Sequence, residues 1–370
     1  MLQNELYYTL ALLQVEGVGD ILAKKLIHHC GSAEEVFKAK KTTLAKIEGI
    51  GKSLLKNIQD KTIFQKTENE LRFIEKEDIN LWYYQDNHYP ERLKQCIDAP
   101  VLLFQSGNVD LSNRKVISIV GTRQITTYGS EFTKKLIEEL TPLNPIIVSG
   151  FAYGVDIVAH QAAMDFNLQT IGVLAHGLNQ IYPKTHKKYM VKMEENGGFL
   201  TEFWSDSKPD RENFVKRNRI VAGMSEATIV IESAEKGGSL ITAQIANDYN
   251  RDVFAVPGRT TDKYSQGCNN LIKTQRANVL TSVADLIYIL NWEINSKSKK
   301  EEKAIQKQLF VSLNEEEQKI YEYLQKKNNE TIDIIALDCA IPIFKTSSIL
   351  LNMELKGVIR PLPGKIFELI

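Results

Sequence analysis

The segment FVKRNRIVAGMS, residues 214–225, brings three cations together with an aromatic side chain: Phe214, Lys216, Arg217, Asn218 and Arg219. Cations in this spacing suit the phosphates of a nucleic-acid strand, and the aromatic ring suits the stacking of a base. The alternative is a solvated loop whose aromatic ring belongs to the core. Because the motif directly precedes an apolar helix that leads into a strand, we predict that it binds a single strand.

The segment VGTRQITTYG, residues 120–129, predicts a turn between a strand and a helix that offers backbone N–H groups to an anion. Gly121, Thr122 and Arg123 lie at the turn, and Arg123 suits a phosphate or a neighbouring carboxylate. The next glycine is Gly129, so the segment does not match G-x-G-x-x-G, and the chain contains no G-x-x-x-x-G-K-[ST]. We therefore predict phosphate contact without a dinucleotide cofactor.

A second strand-to-helix turn is predicted in SGFAYGVDIVAH, residues 149–160. Small residues such as Ser149 and Gly150 let another chain approach the backbone closely. Asp156 has the chemistry of a general base, and His160 lies four residues on, on the same helical face. We favour the simpler interpretation, in which Asp156 braces the turn and His160 packs beneath it.

A third turn is predicted where Gly237, Gly238 and Ser239 precede the helix of EKGGSLITAQIA, residues 235–246. Several helix N-termini on one rim would form a track for a polyanion that needs no metal and reads no bases. Ser239 has no evident base, and the six histidines show no H-E-x-x-H or similar spacing. We therefore predict no catalytic residue, no metal and no cofactor.

The composition is that of an ordinary globular protein, since 43% of the 370 residues are hydrophobic and 25% are charged. The net charge of zero neither supports nor excludes a nucleic-acid partner. The four cysteines are far apart in the sequence, which argues against a zinc site and against a disulfide framework: Cys30, Cys96, Cys268 and Cys339. The N-terminus lacks the pattern of a signal peptide, and no apolar run has membrane-spanning length, so we expect a cytoplasmic protein.

From about residue 85 to 292, short β-branched runs alternate with amphipathic helical stretches, and we assign residues 67–292 to one core domain. The runs are VISIVG, PIIVSG, TIGVLAHG, ATIVIES and DVFAVPG. Alternation of this kind predicts an α/β, Rossmann-like, doubly wound parallel sheet with helices on both faces. Ligands of such sheets gather at the carboxyl ends of the strands, where the glycine-containing turns fall.

The two ends of the chain predict smaller helical domains. In residues 1–66 the sequence VEGVGDILAKKLI is repeated as IEGIGKSLLKNI, which indicates a tandem helix-hairpin-helix, or SAM-like, domain. Residues 293–310 are polar and mixed in charge, which indicates a linker. Residues 311–370 predict three short helices closed by a hairpin at Pro363–Gly364, as in a winged helix. Both ends could serve DNA or protein contacts.

In chain order, the motifs resemble those of the DprA (Smf) DNA-processing family. The resemblance covers about residues 70 to 290 densely. It includes the motifs above together with YPERL…DAPVLLFQSGN, GVLAHGLNQIYPKTH and QGCNNLIKTQRA. Four positions depart from the family pattern: Tyr153 in place of Arg, His176 in place of a small or polar residue, Ser233 in place of Ala, and Arg276 in place of Gly.

The resemblance implies a homodimer that binds single-stranded DNA, protects incoming transforming DNA and helps to load the RecA recombinase. Single-stranded-DNA-binding protein is a further implied partner. The family's DNA contacts fall on ten positions: Arg123, Ser149, Gly150, Phe214, Lys216, Arg217, Asn218, Arg219, Gly238 and Ser239.

Two other hypotheses remain open at this point. One is a nucleotide-hydrolysing enzyme, since phosphoribohydrolases have related folds. It would place a nucleotide between Gly121 and Gly238 and use Asp156 or Glu232 as acid or base, although the chain lacks the PGGxGTxxE signature of those enzymes. The other is an interaction hub, which is compatible with DNA binding.

Overall fold

The computed structural model describes residues 3–112, 115–292, 313–362 and 366–369. The chain divides into two compact units, Met1–Ile294 and Asn295–Ile370. The predicted linker, 293–310, and the predicted hairpin tip, Pro363–Gly364, lie outside the described residues.

The first unit begins with six helices: α1 Gln3–Leu13, α2 Asp20–Cys30, α3 Ala33–Lys38, α4 Lys41–Leu44, α5 Lys52–Asn57 and α6 Thr62–Lys76. The repeated glycines carry the two hairpins. Gly17 and Gly49 have φ of +91° and +93°, a left-handed backbone that favours glycine, and α2 and α5 begin three residues after them. Helix α6 runs across the predicted boundary between residues 66 and 67.

The centre of this unit is a nine-stranded sheet: β1 Asn80–Tyr83, β2 Leu102–Gly107, β3 Val116–Val120, β4 Ile146–Ser149, β5 Thr170–Val173, β6 Gly197–Thr201, β7 Ala227–Val230, β8 Asp252–Ala255 and β9 Asn278–Val279. The order across the sheet is β1-β2-β6-β5-β4-β3-β7-β8-β9. The seven strands in the run β6-β5-β4-β3-β7-β8-β9 are parallel to one another. Strands β1 and β2 form an antiparallel edge beside β6.

The sequence correctly identified β3, β4, β5, β7 and β8, but not β1, β2, β6 or β9. Strand β6 is hidden in the sequence because it begins with two glycines. A Cβ atom on Gly197 would lie 2.1 Å from the carbonyl oxygen of Thr170, and one on Gly198 would lie 2.0 Å from that of Ser106. The glycines therefore allow the two neighbouring strands to pack against β6.

Helices cover both faces of the sheet: α7 Glu91–Lys94, α8 Thr127–Leu140, α9 Val155–Asp165, α10 Met190–Glu195, α11 Arg211–Gly223, α12 Gly238–Asp248, α13 Gln266–Lys273 and α14 Val283–Ile289. Alternate residues of β4 belong to different cores. Ile147 packs with α8, α9 and α14, whereas Val148 packs with α11, α12 and α13. The predicted doubly wound architecture is thus confirmed.

The described residues of the second unit form three helices and a three-stranded sheet: α15 Glu315–Lys327, β10 Asn329–Thr331, α16 Ile332–Asp338, α17 Ile343–Leu355, β11 Ile359–Leu362 and β12 Ile366–Leu369. Ile320, Leu324, Ile335 and Met353 form its small core. This is the predicted winged-helix arrangement. No helix in the described parts of the chain is both long and apolar enough to cross a bilayer.

Candidate nucleic-acid interface

The predicted turns meet at the carboxyl edge of the sheet, because β4, β3 and β7 are neighbours. The N–H of Thr122 donates to the carbonyl of Glu232 at 2.8 Å, and the N–H of Val155 donates to the carbonyl of Thr122 at 3.1 Å. A Cβ on Gly121 would lie 2.4 Å from Val155 Cγ2, so the glycine is required for this packing. The turns after three strands therefore form one connected rim.

An exposed arginine and an aromatic ring lie together on this rim. The guanidinium of Arg123 is 5.1 Å from the centre of the Phe214 ring. The centre of the Tyr182 ring lies 5.8 Å from that of Phe214, in an edge-on arrangement. Arg123 forms no ion pair with a carboxylate of the described residues. Its charge is available to a phosphate, beside rings that can stack on a base.

Arg217 lies beneath this pair and is only 4% exposed. Its Nη1 donates to the carbonyl of Gly150 at 2.6 Å and to the carbonyl of Val173, and its Nε donates to Asn218 Oδ1 at 3.3 Å. Burial lowers the pKa of the guanidinium to about 10, although the carboxylate of Asp156 opposes that change. Arg217 therefore fixes the ends of β4 and β5 beneath Phe214, whose ring centre is 5.8 Å away.

Arg219 points elsewhere, toward the N-terminal helices. Its Nη2 lies 2.6 Å from Glu202 Oε2 and 2.9 Å from Asp20 Oδ2. Burial opposes the charge of Arg219, but the two carboxylates outweigh it and raise the pKa. The sequence predicts that the three cations lie together directly before a helix, with a solvated loop as the alternative. Both placements are wrong, because the motif lies inside α11, which packs against α7, α12 and β5.

Lys216 is the cation of this motif that remains half exposed. Its Nζ lies 2.8 Å from Glu202 Oε2 and 5.5 Å from the centre of the Phe203 ring. Glu202 therefore holds Lys216 and Arg219 together. Three residues of this region were not predicted from the sequence: Glu202, Asp20 and Tyr182. Tyr182 could have been found, because it lies in the family-like segment GLNQIYPKTH.

The third turn is confirmed as the start of α12, at Gly238. A Cβ on Gly238 would meet nothing within 4 Å, so this backbone is open to a ligand. Ser239 is buried, and Gly237 packs so closely that a Cβ would lie 2.2 Å from Ser233 Oγ. The backbone of Gly238, rather than the hydroxyl of Ser239, is accessible at this N-terminus.

The polar side chains of the second turn form hydrogen bonds within the protein. Ser149 Oγ donates to the carbonyl of Ile119 at 2.6 Å, and Asp156 Oδ2 accepts from the N–H of Ala152 at 3.2 Å. Burial raises the pKa of Asp156, whereas Arg217 and the hydrogen bonds to the carboxylate lower it. His160 Nδ1 lies 2.7 Å from Thr170 Oγ1. The interpretation of Asp156 as a brace and of His160 as a packed residue is confirmed.

Glu232 is also occupied. Its two oxygens accept from the N–H and the hydroxyl of Thr126, at 2.8 and 2.5 Å, and that hydroxyl in turn accepts from the N–H of Gly129 at 3.2 Å. The carboxylate therefore anchors the start of α8. No group of three or more His, Cys, Asp or Glu in the described part of the chain is placed to hold a metal.

Two departures from the family pattern shape the same rim. His176 Nε2 accepts from the N–H of Tyr182 at 3.2 Å, while Nδ1 lies 2.9 Å from the carbonyl oxygen of Gly177. Burial lowers the pKa of His176, which keeps the ring neutral for this pairing. Tyr153, in place of the family's Arg, is exposed, and its hydroxyl accepts from Thr185 Oγ1 at 3.2 Å. His176 thus positions Tyr182 beside Phe214.

The other two departures lie away from Phe214. Ser233 is buried, and its hydroxyl donates to the carbonyl of Ala234 at 3.0 Å. Arg276 is exposed, and its Nη1 lies 3.3 Å from Gln244 Oε1.

Comparison with known families and structures gives consistent matches along the chain. Residues 80–291 match the family model of DNA recombination-mediator protein A. Residues 9–61 match the SAM-like helix-hairpin-helix tandem, and residues 307–365 match the DprA winged helix domain. The matched regions follow the order of helical, α/β and winged-helix elements found in the structure.

Curated relatives and solved structures give the same family. The chain is 37% identical to Protein Smf of Synechocystis sp. over 74% of this chain and 69% of that protein, and 33% identical to Protein Smf of Escherichia coli over 76% and 78%. The structure of DprA from Streptococcus pneumoniae matches with a TM-score of 0.62 and 29% identity, over 78% of this chain and 98% of that one. DprA from Helicobacter pylori, whose structure is described in terms of its single-stranded-DNA binding mode, matches with a TM-score of 0.52 and 29% identity, over 58% and 95%. The chain belongs to the DNA recombination-mediator protein A (DprA/Smf) family.

Proposed function

We propose that this protein binds single-stranded DNA at the rim formed by the turns after β3, β4 and β7. The observation that carries the proposal is the exposed guanidinium of Arg123, 5.1 Å from the centre of the Phe214 ring. A cation beside an aromatic ring supplies the two contacts that a single strand needs, one for a phosphate and one for a base. The single-stranded-DNA binding described for the Helicobacter pylori relative supports the proposal.

The contacts divide into outer and inner groups. The outer group faces the strand: Gly121, Thr122, Arg123, Lys216 and the backbone of Gly238. Phe214 stacks on a base, and Tyr182, held by His176, flanks Phe214. The inner group supports the rim from below: Ser149, Gly150, Arg217, Asn218 and Ser239. Arg219 instead pairs with Glu202 and Asp20 and attaches α11 to the N-terminal helices. Because the outer contacts are to phosphates and to the flat face of a base, binding discriminates little among sequences and weakens as salt rises.

We propose further that the protein is not an enzyme. A general acid or base must be free to reach its substrate. Asp156, His160 and Glu232 are each buried and hydrogen bonded within the fold, as set out above. The alternative of nucleotide hydrolysis in the same crevice therefore has no side chain in these positions that is ready to act.

Family membership supports the remaining parts of the proposal. In this role the protein is a cytoplasmic homodimer that protects incoming DNA during natural transformation and helps to load RecA recombinase onto it, in contact with single-stranded-DNA-binding protein. The free thiols of Cys30, Cys96, Cys268 and Cys339 suit a reducing compartment. Along the chain, residues 1–66 and 311–370 act as the helical and winged-helix domains that precede and follow the DNA-binding core.

The test is a titration of fluorescent oligothymidylate and of its duplex with purified protein, at low and moderate salt and without nucleotide or metal. We expect tight, salt-sensitive binding that prefers the single strand. Equal binding to the two forms, or no binding to either, would contradict the proposal. In the second case, release of base or phosphate from a panel of nucleotides would decide for the enzyme.

A further inference from the structure

An open cavity of about 1030 Å³ lies next to the proposed interface, between the start of α8 and the loop that follows β8. Its lining includes Thr127, Tyr128, Pro257, Arg259, Lys263 and Tyr264. The volume is that of a small-molecule site, for which about 300 to 1000 Å³ is typical. None of these six residues belongs to the predicted DNA contacts.

Hydrogen bonds hold the walls of this cavity in place. The hydroxyl of Tyr128 donates to the carbonyl of Pro257 at 3.1 Å. The side chain of Asn269 makes two hydrogen bonds to the backbone of Gly258, at 3.1 and 2.9 Å. On the other wall, the carbonyl of Tyr264 accepts from the N–H of Ser233 at 2.7 Å. The hydroxyl of Tyr264 donates to Gln124 Oε1. The two tyrosines are therefore positioned before any ligand binds.

The charge of the lining favours an anionic ligand with an aromatic part. Arg259 and Lys263 are exposed, and neither makes an ion pair with another residue that the structure describes. Lys263 Nζ lies 5.5 Å from the centre of the Tyr264 ring. Tyr128 is 49% exposed, so part of its ring is open to the cavity. Glu232, an acid of the lining, is occupied by Thr126, which leaves Asp262 as the exposed acid there.

The cavity is joined to the proposed interface through Gln124. This residue follows Arg123 in the chain, and its side chain contacts Tyr264 in the cavity wall. A strand whose phosphate lies on Arg123 has a short path to the two tyrosines. We propose that the cavity is a second nucleotide subsite, in which Tyr128 and Tyr264 stack on a base while Arg259 and Lys263 bind its phosphate. This inference rests on the proposed function for its main source of nucleotide, a DNA strand.

The test combines tyrosine variants with strands that lack single bases. Tyr128→Leu and Tyr264→Leu remove the rings, Tyr128→Phe and Tyr264→Phe keep them, and Tyr288→Leu changes an exposed tyrosine of α14 outside the cavity. The probes are an oligothymidylate and the same oligomer with one abasic residue at successive positions. We expect the Leu variants to bind the intact strand about 5- to 100-fold more weakly, whereas the Phe variants and Tyr288→Leu match the wild type.

The abasic series tests the subsite in the unaltered protein. Wild type is expected to lose affinity at one abasic position because of Phe214 and at a second position because of the tyrosines. In the Leu variants the second loss disappears while the first remains. One sensitive position in wild type, together with Leu variants that bind like wild type, would exclude the strand from the cavity and leave the DNA-binding proposal intact. Absence of strand binding by wild type would instead overturn the proposed function.

A free nucleotide is the other source of the same chemistry. Saturable binding of dTMP that is lost in Tyr128→Leu, without any change in strand affinity, would assign the cavity to a free nucleotide. Failure of dTMP to bind, with strand affinity dependent on the tyrosines, would assign it to the strand. Failure of both would overturn the site.

Discussion

The guanidinium of Arg123 lies 5.1 Å from the centre of the Phe214 ring, although the two residues come from different parts of the chain. Arg123 is placed by the turn after β3, and Phe214 by the first turns of α11. Arg217 lies behind Phe214 and is fixed to the backbone of β4 and β5. The exposed contacts thus rest on a buried cation that does not itself reach solvent.

Phe214→Leu is expected to bind oligothymidylate about 5- to 100-fold more weakly, because leucine fills the space but cannot stack on a base. Phe214→Tyr keeps the ring and is expected to bind like wild type. Fluorescence anisotropy gives the affinities, and Val215→Ala, at the next and exposed position, is the matched control. Unchanged affinity in Phe214→Leu would remove the base contact from the account.

Two glycines of the rim are expected to respond oppositely to alanine. In Gly150→Ala the added Cβ would lie 2.5 Å from Arg217 Nη2, so we expect a loss of about 1–3 kcal/mol in the free energy of unfolding. In Gly238→Ala the added Cβ meets nothing within 4 Å, and alanine within a helix is expected to add up to about 1 kcal/mol. Chemical denaturation measures both, and equal stability of the two variants would contradict the packing described for Arg217.

Asp20 is expected to fasten the N-terminal helices to the core. Its two oxygens accept from the N–H of Val101 and from Arg219 Nη2, each at 2.9 Å. Asp20→Ala should lower the free energy of unfolding by about 1–3 kcal/mol, because a buried N–H and part of a guanidinium lose their partner. Glu48→Gln is the control, since its pair with Lys25 is exposed and is expected to contribute less than about 1 kcal/mol. Similar losses in the two variants would argue against this attachment.

His160 is expected to make the fold less stable in mild acid. Burial lowers its pKa from 6.5 to about 3. Between these values the unfolded chain takes up a proton that the folded chain excludes, so stability falls as the pH drops through this window. Between pH 7.5 and pH 5 the loss from this residue should be about 2 kcal/mol. Denaturation of wild type and His160→Gln at both pH values measures it, and an identical pH dependence in the two proteins would contradict the buried, neutral imidazole.

The sequence predicts the parts of the interface that depend on local pattern. The β-branched runs ending in glycine locate β3, β4 and β7, and a parallel sheet then brings Arg123, Gly150 and Gly238 to one edge. It does not predict that Arg217 and Arg219 are buried. Their burial depends on Glu202, Asp20 and the carbonyl of Val173, which no local spacing connects with α11.

The edge of the sheet was missed for a similar reason. Strands β1 and β2 pair antiparallel beyond the parallel region, so they do not belong to the parallel strand-helix alternation. Strand β9 has only two residues, which is too short for a recognisable pattern. The roles of the departures also needed the fold. The role of His176 follows from its hydrogen bond to the N–H of Tyr182, six positions later. This bond places the Tyr182 ring beside Phe214.

Phosphate contact by Arg123 is the central feature of the proposed interface, and the salt dependence of strand binding tests it directly. Oligothymidylate affinity is measured across a series of salt concentrations for wild type, Arg123→Gln and Arg72→Gln, the last being an exposed arginine of α6. We expect Arg123→Gln to bind more weakly and to flatten the slope of log K against log salt by about 0.7, the value for one phosphate of a single strand. Arg72→Gln should match wild type. A slope and an affinity for Arg123→Gln equal to those of wild type would contradict the proposed interface.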